Sequence, residues 1–366
     1  MKKVTAFIFD LSKGGAQGVF VTVVNYFVDI GYTVEVVVQN LNDDIYRQDL
    51  RNNINVISLD CQCARDSFRA LLKYVKNSDI EIAWIFGPEL AVDLYIVKKI
   101  TRSKFPIYAR SINTLSSEFN HTKSFFRKYV THTLIKVFYR YVDGIVAQSE
   151  NMGKDLIDNY GFEKSKVFVI NNALSEKYEK EISTSFCAKK ENYILYAGRL
   201  EEQKGLNMLL SAFSIMNNKC VELYIIGDGS QKDKLVNLSY ELDIDKRVRF
   251  IPHSNKIEDY YRAAKITVLS SYFEGFPNVL IESLACGTAI VAFDLPSGPS
   301  EIISEDNGIL VEYLNIEEFA KACDLALNIE WNEKKIKQSA KRYTRSNVLG
   351  KYRNIMEVYQ DTRKGQ

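Results

Sequence analysis

Two glutamates separated by seven residues form the most informative pattern in this sequence. Glu274 follows an apolar, strand-like run, and Glu282 lies in the helix-like segment after a Gly–Phe–Pro turn. The first N–H groups of a helix have no partner within it, so Asn278 and Val279 could donate to an anion or a sugar oxygen. Glu282 could accept from a pair of hydroxyl groups such as those of a ribose. By itself, any such pair of glutamates is usually two solvated charges at helix ends.

Two cations occupy a loop after an earlier apolar run. Arg199 and Lys204 lie between Gly198 and Gly205, where they could neutralise a diphosphate and the charge that grows on it as a bond breaks. Further along, Gly227 and Gly229 would permit a tight turn between a strand and a helix. Each feature alone is weak evidence for a diphosphate-binding site, and the interpretation depends on finding them together.

The elements that must position these residues alternate along the chain. Short β-branched and aromatic runs are separated by helix-length segments, which is typical of parallel sheets with crossover helices. We predict seven strands between Val4 and Ile170 and six between Tyr193 and Val311. The polar stretch Ala173–Asn192 is interpreted as an interdomain linker. The sequence thus predicts an α/β protein of two Rossmann-like domains facing each other across a cleft, where such folds bind ligands.

Composition narrows the function classes. A chain of 366 residues is long enough for two domains. Its 48 Lys and Arg against 46 Asp and Glu give a net charge of +2, which argues against a nucleic-acid partner. The six cysteines lack metal-ligand spacing and are expected to be reduced thiols of a cytoplasmic protein. No apolar run reaches the roughly 20 residues that span a bilayer, so membrane association would be peripheral.

The segment from Gly198 to Glu301 resembles the retaining GT-B glycosyltransferases of family four, which carry the Glu-seven-residues-Glu motif. The resemblance implies that Arg199, Lys204 and Glu274 are the catalytic residues, with the two cations on the donor diphosphate and the glutamate supporting the sugar. It further implies a donor-binding set consisting of Gly15, Gly198, Gly227, Gly229, Pro252, Phe276, Asn278, Val279 and Glu282.

The N-terminal half resembles the family more loosely. Its loop from Lys13 to Gln17 keeps a glycine pair that allows a ligand to approach the backbone closely. Many family members have a histidine after the strand that ends near Ala109, whereas this chain has Arg110 and Asn113. We expect these two residues on the acceptor side of the site.

The function implied by the resemblance is transfer of a hexose or N-acetylhexosamine from a nucleotide-diphosphate donor, with UDP as the expected nucleotide. The expected acceptor is a glycan, lipid-linked, in bacterial surface polysaccharide biosynthesis such as that of O-antigen or capsule. No metal and no cofactor are expected, because Arg199 and Lys204 can supply the positive charge and no metal-binding Asp-x-Asp signature stands at a strand end. Alternatives are a nucleotide-sugar epimerase of the same architecture and a non-catalytic nucleotide-sugar-binding subunit. An oxidoreductase is disfavoured because the first strand lacks the dinucleotide fingerprint.

We expect an acceptor-side domain over residues 1–175, a donor domain over 176–345, and a C-terminal helix and tail over 346–366 that packs on the N-terminal domain. The stretch 123–141 combines five basic side chains with many aromatic ones at helical spacing. It could lie on an anionic membrane surface on the inner face of the cell membrane. Alternatively, one face packs on the sheet while the basic residues are solvated.

Overall fold

The computed structural model describes residues 2–12, 14–42, 44–61, 64–122, 124–184 and 189–364. Over these residues the first half forms a seven-stranded parallel sheet with the order β3-β2-β1-β4-β5-β6-β7. Its strands are Lys3–Ile8 (β1), Thr33–Val38 (β2), Asn55–Ser58 (β3), Ile82–Phe86 (β4), Ile107–Arg110 (β5), Gly144–Ala147 (β6) and Val167–Val169 (β7). The central strand β4 is buried along its length, as expected for a parallel strand covered on both faces.

The described part of the second half forms a six-stranded parallel sheet with the order β10-β9-β8-β11-β12-β13. Its strands are Tyr193–Ala197 (β8), Glu222–Ile226 (β9), Val248–Ile251 (β10), Ile266–Leu269 (β11), Ala289–Phe293 (β12) and Gly308–Val311 (β13). The strands β8 and β11 are neighbours at the centre of the sheet. The strands that follow β8 in the chain are added on one side of it, and those that follow β11 are added on the other side, so the loops after β8 and β11 lie side by side. The switch in strand order lies at this point, where open α/β sheets bind ligands.

Helices connect the strands in both halves. Those of the first half are Gly15–Asp29 (α1), Ala64–Asn77 (α2), Pro88–Thr101 (α3), Leu115–Asn120 (α4), His132–Phe138 (α5) and Glu150–Tyr160 (α6). Those of the second half are Glu176–Ser183 (α7), Leu206–Ile215 (α8), Lys232–Glu241 (α9), Ile257–Ala263 (α10), Asn278–Ala285 (α11), Pro299–Ile302 (α12), Ile316–Asn328 (α13) and Glu333–Ala340 (α14). The last helix is Arg345–Lys364 (α15).

The chain forms two compact units. Unit 1 consists of Met1–Ala173 and Val348–Gln366, and unit 2 of Leu174–Asn347. The C-terminal helix returns to unit 1, where Trp84 of β4 donates its indole N–H to the Met356 sulfur over 3.1 Å and lies 5.5 Å from the Tyr352 ring.

One expectation about the linker is wrong. The stretch Ala173–Asn192 contains the helix α7, which belongs to unit 2. Tyr178 is its buried side chain and contacts Tyr261 of α10 edge-on at 6.2 Å. A helix of eight residues with one buried position leaves little periodicity to read.

Candidate functional site

The loops after β8 and β9 are in direct backbone contact. The N–H of Gly198 donates to the Ile226 carbonyl over 3.0 Å, and that of Leu200 donates to the Asp228 carbonyl over 2.9 Å. A Cβ atom on Gly227 would lie 1.9 Å from the Gly198 carbonyl oxygen, and one on Gly229 would lie 2.5 Å from the Leu200 carbonyl oxygen. Only glycine fits at these two positions, so three of the predicted donor-binding glycines form one tight junction.

The three predicted catalytic residues come from the loops after the adjacent strands β8 and β11. The Lys204 ammonium donates to Oε1 of Glu274 over 2.6 Å. The Ser271 hydroxyl donates to the same oxygen, also over 2.6 Å. The Glu274 carboxylate is buried at 8% exposure, while Arg199 is exposed. The site therefore combines an accessible guanidinium with a sheltered ion pair.

Further hydrogen bonds hold the Arg199–Lys204 loop on both sides. Glu201 accepts from the Ser230 N–H over 3.0 Å and from its hydroxyl over 2.7 Å, and these bonds hold the pKa of Glu201 below its ordinary value. On the other side, Gln203 donates its amide to the Phe273 carbonyl over 2.9 Å. Three strand-end loops, after β8, β9 and β11, are thus tied together in unit 2.

The turn between Glu274 and α11 is packed against the segment after β12. Ser297 donates its hydroxyl to the Glu274 carbonyl over 2.8 Å. A Cβ on Gly298 would lie 2.6 Å from Cδ of Pro277, and its φ of +99° favours glycine. Phe276 is buried and meets Tyr343 edge-on at 5.5 Å. This packing fixes the point where α11 begins.

Asn278 and Val279 are the first two residues of α11, and both are partly exposed. Pro277 precedes them as the N-cap residue and makes no side-chain capping bond. The two N–H groups assigned to the donor thus belong to the first turn of α11, directly after the buried Glu274 turn.

Glu282 lies one turn into α11 and is half-buried. Its Oε2 accepts from the Tyr261 hydroxyl over 3.2 Å, and Tyr178 also hydrogen bonds to this carboxylate. Burial raises the pKa of Glu282. The predicted ribose contact would use the acceptor positions that the two tyrosines leave, because a carboxylate can accept about four hydrogen bonds.

Pro252 follows β10 and is exposed. It continues the same edge of the sheet, because the Gly227 N–H donates to the Ile251 carbonyl over 3.0 Å. The neighbouring His253 donates its backbone N–H to Asp228 over 3.3 Å. The structure therefore brings Pro252 to the glycine junction and ties His253 there through its backbone.

In unit 1, Gly15 is exposed at the start of α1, directly after β1. The loop is ordered by Asp10, which accepts from the Ser12 hydroxyl over 2.6 Å and from the Gln17 amide over 2.9 Å. Lys13 of the same predicted loop lies outside the described residues.

Arg110 is not placed to contact an acceptor, which corrects the sequence prediction. Its side chain is 1% exposed, donates to the Tyr352 hydroxyl of α15 and to Asn172, and lies over the Phe86 ring at 6.0 Å. The apolar residues around the end of β5 are covered by α15, so a long side chain there points into the interior. Arg110 holds the C-terminal helix in unit 1.

Asn113 is half-buried after β5 and donates its amide to Glu118 of α4 over 3.2 Å. The same segment is held by Gln148, whose amide donates to the Ser111 carbonyl over 2.7 Å and to the Ile112 carbonyl over 2.8 Å. Asn113 therefore remains a partly accessible residue in a well-anchored loop, and its role on the acceptor side stays a prediction.

Sequence reasoning missed Ser271 and Ser297, which both hydrogen bond to Glu274. Both are buried polar residues close after apolar strands. A serine at the carboxyl end of a predicted parallel strand is the signal that could have found Ser271. Among the described residues, no group of three or more His, Cys, Asp or Glu side chains is arranged to hold a metal ion.

Comparison with known proteins identifies both halves. Residues 177–343 match the family "Glycosyl transferases group 1", and residues 13–177 match "Glycosyltransferase Family 4". The chain is 27% identical to a Campylobacter jejuni N-acetylgalactosamine-N,N'-diacetylbacillosaminyl-diphospho-undecaprenol 4-alpha-N-acetylgalactosaminyltransferase, over 96% of each chain. It is 25% identical to the amylovoran biosynthesis glycosyltransferase AmsD of Erwinia amylovora, over 90% of this chain and 91% of the relative.

Solved structures share the fold. The lipopolysaccharide outer core galactosyltransferase WaaB, in its apo form, superposes with a TM-score of 0.77 at 19% identity, over 98% of this chain and 100% of that one. Anabaena Alr3699/HepE in complex with UDP also gives 0.77, at 18% identity over 99% and 100% of the two chains. The predicted GT-B architecture of two Rossmann-like domains is confirmed. The protein belongs to the GT-B glycosyltransferases, with a Glycosyltransferase Family 4 domain followed by a group 1 domain.

Proposed function

We propose that this protein transfers a hexose or N-acetylhexosamine, with retention of configuration, from a UDP-sugar donor to a lipid-linked glycan in bacterial surface polysaccharide biosynthesis. The observation that carries the proposal is the Lys204–Glu274 pair at 2.6 Å, next to the exposed Arg199 and beside the glycine junction after β8 and β9. Relatives named for transfer to a diphospho-undecaprenol glycan and for amylovoran biosynthesis support the acceptor class. A structural neighbour in complex with UDP supports the nucleotide.

Each group has a role on this proposal. Arg199 and Lys204 neutralise the donor diphosphate and stabilise the charge that develops on it. The N–H groups of Asn278 and Val279 donate to the donor at the start of α11, and Glu274 supports the sugar. The bond between the sugar C1 and the phosphate oxygen breaks, and a bond from the acceptor oxygen to C1 forms on the same face. The departing phosphate takes the acceptor proton.

We propose that this reaction needs no metal ion. Two side-chain cations and the helix start supply positive charge where a metal would act in other transferases. The nucleotide-sugar epimerase and the non-catalytic subunit gain no support from the relatives, which are named as transferases.

Thermal stabilisation by nucleotide diphosphates and their sugars tests this proposal, because a ligand that binds the folded state raises stability by mass action. We expect UDP and one UDP-sugar to raise the melting temperature of the wild type. Each ligand should give the same increase with and without EDTA, and Lys204→Ala should show no increase. Lys335→Ala is the matched control, since Lys335 forms an exposed ion pair with Asp306 at 2.9 Å in the same unit. If no nucleotide diphosphate stabilises the wild type, the proposal is wrong.

We further propose peripheral contact with an anionic membrane on the cytoplasmic face. Phe125, Phe126 and Tyr129 are 76%, 67% and 56% exposed, and no acidic residue occurs from His121 to Val142. Exposed Lys128, Lys136 and Arg140 accompany these rings, while Ile135 and Tyr139 pack inward.

Large exposed aromatic groups among basic side chains suit an anionic lipid surface. None of the described helices is both long and apolar enough to span a bilayer.

Vesicle flotation tests this contact. We expect the protein to float with vesicles that contain phosphatidylglycerol at low salt and to remain free with phosphatidylcholine alone, since salt screens the charge contribution. Phe125→Ser combined with Phe126→Ser should abolish flotation, whereas Tyr240→Ser, at a ring 64% exposed in unit 2, should not. Equal flotation of both variants would contradict the assignment.

A further inference from the structure

The Glu274 carboxylate receives two strong donors at one oxygen. Both the Lys204 ammonium and the Ser271 hydroxyl lie 2.6 Å from Oε1. Ser271 is fully buried and Glu274 is 8% exposed. The lysine predicted to hold the diphosphate is therefore bound to the glutamate predicted to support the sugar.

The backbone of Lys204 is held separately from its side chain. Its N–H donates to the Glu201 carbonyl over 2.9 Å, and its carbonyl accepts from the Ser270 hydroxyl over 3.1 Å. The four-carbon stem of a lysine can therefore rotate its ammonium group toward a second anion while the loop stays in place. Ser271 has no such freedom, because its short side chain is enclosed at the end of β11.

We propose that Ser271 is a positioning residue that retains the Glu274 carboxylate while the Lys204 ammonium moves to the donor diphosphate. This inference rests on the proposed function. A buried carboxylate that loses its cation is costly unless other hydrogen bonds remain. The Ser271 hydroxyl reduces that cost and keeps the carboxylate in the orientation in which it meets the sugar. Glu274 thus competes with the donor for Lys204, and Ser271 weakens the competition.

A double-mutant cycle measured with UDP tests the exchange. Glu274→Gln removes the competing charge, so we expect UDP to bind about fivefold more tightly although transfer is lost. Ser271→Ala should weaken UDP binding about fivefold, because the hydrogen bond is present with and without the donor and only the strength that it gains when Lys204 leaves changes the affinity. In the Glu274→Gln background the same Ser271→Ala change should have less than about a twofold effect, because no charge remains to be retained. Isothermal titration calorimetry on the full chain gives the dissociation constants.

Two controls separate positioning from folding. Ser283→Ala removes an equally buried hydroxyl of the same unit, one that is bonded to Thr267 over 2.8 Å and not to Glu274, and it should leave UDP binding unchanged. Ser271→Cys keeps a γ atom but replaces the hydroxyl by a larger group that is a weaker donor, and it replaces the alanine variant if that fails to fold.

The outcomes are distinct. Equal weakening by Ser271→Ala in both backgrounds shows a structural role and overturns the inference. Unchanged or weaker UDP binding by Glu274→Gln shows that Lys204 is not shared between the two anions and also overturns it. A wild type that binds no nucleotide diphosphate overturns the proposed function itself. This result differs from failure of the positioning inference, in which the wild type binds UDP but the variants do not show the expected differences.

Discussion

Gly227→Ala should destabilise unit 2 far more than another substitution at positive φ. At Gly227, with φ of +147°, the new Cβ would lie 1.9 Å from a backbone carbonyl oxygen of Gly198. At Gly287, with φ of +77°, the nearest atom is Cγ of Glu333, 2.3 Å away, which is a side-chain atom that a rotation about χ1 can displace at the expense of the ion pair with Lys337. Left-handed backbone strain costs roughly 1 kcal/mol at either position. The backbone overlap at Gly227 adds about 2 kcal/mol, because neither loop can yield without breaking its bonds.

The two variants differ by about 2 kcal/mol on this reasoning, which for a unit of this size corresponds to roughly 4 to 8 °C in melting temperature. Urea unfolding followed by tryptophan fluorescence measures the difference in the free energy of unfolding. Trp331 reports on unit 2 and Trp84 on unit 1, so the variants should change the transition of Trp331. Gly227→Ala should also lose UDP binding, and Gly287→Ala should keep it. Equal destabilisation by both variants would refute the backbone-junction argument.

Two further predictions concern the remaining contacts. Tyr352→Phe removes a hydroxyl that accepts from buried Arg110, so it should lower the free energy of unfolding by about 1 to 3 kcal/mol and leave UDP affinity unchanged; denaturant titration and calorimetry check this. Hydrogen bonds from Ser230 hold the pKa of Glu201 below its ordinary value. Its contribution to stability is therefore present above the unfolded-state pKa and is lost as the pH falls through the lower folded-state pKa. Unfolding measured from about pH 6 to about pH 3 should show this loss in the wild type and not in Glu201→Gln; parallel curves would contradict it.

The strands were predictable because their signal is local. Each is a short β-branched run bounded by turn residues, and the predicted sets of seven and six agree with the two sheets over the described residues. The helix α7 was not predicted, since its burial depends on Tyr178 meeting α10. Its partner lies far away in the chain, and no local pattern records that contact.

By itself the sequence determined the fold class, the order of the strands along the chain, and the loops at whose ends the site residues lie. Arg199, Lys204 and Glu274 could be chosen because the local segments that contain them resemble the motifs of family-four GT-B glycosyltransferases. Only the tertiary structure decided which of these side chains meet: Lys204 binds Glu274 with Ser271 on the same oxygen, and Arg110 is buried beneath α15. The reason is that both facts depend on strand order and on the path of the C-terminal helix, which join residues 70 and 242 positions apart in the chain.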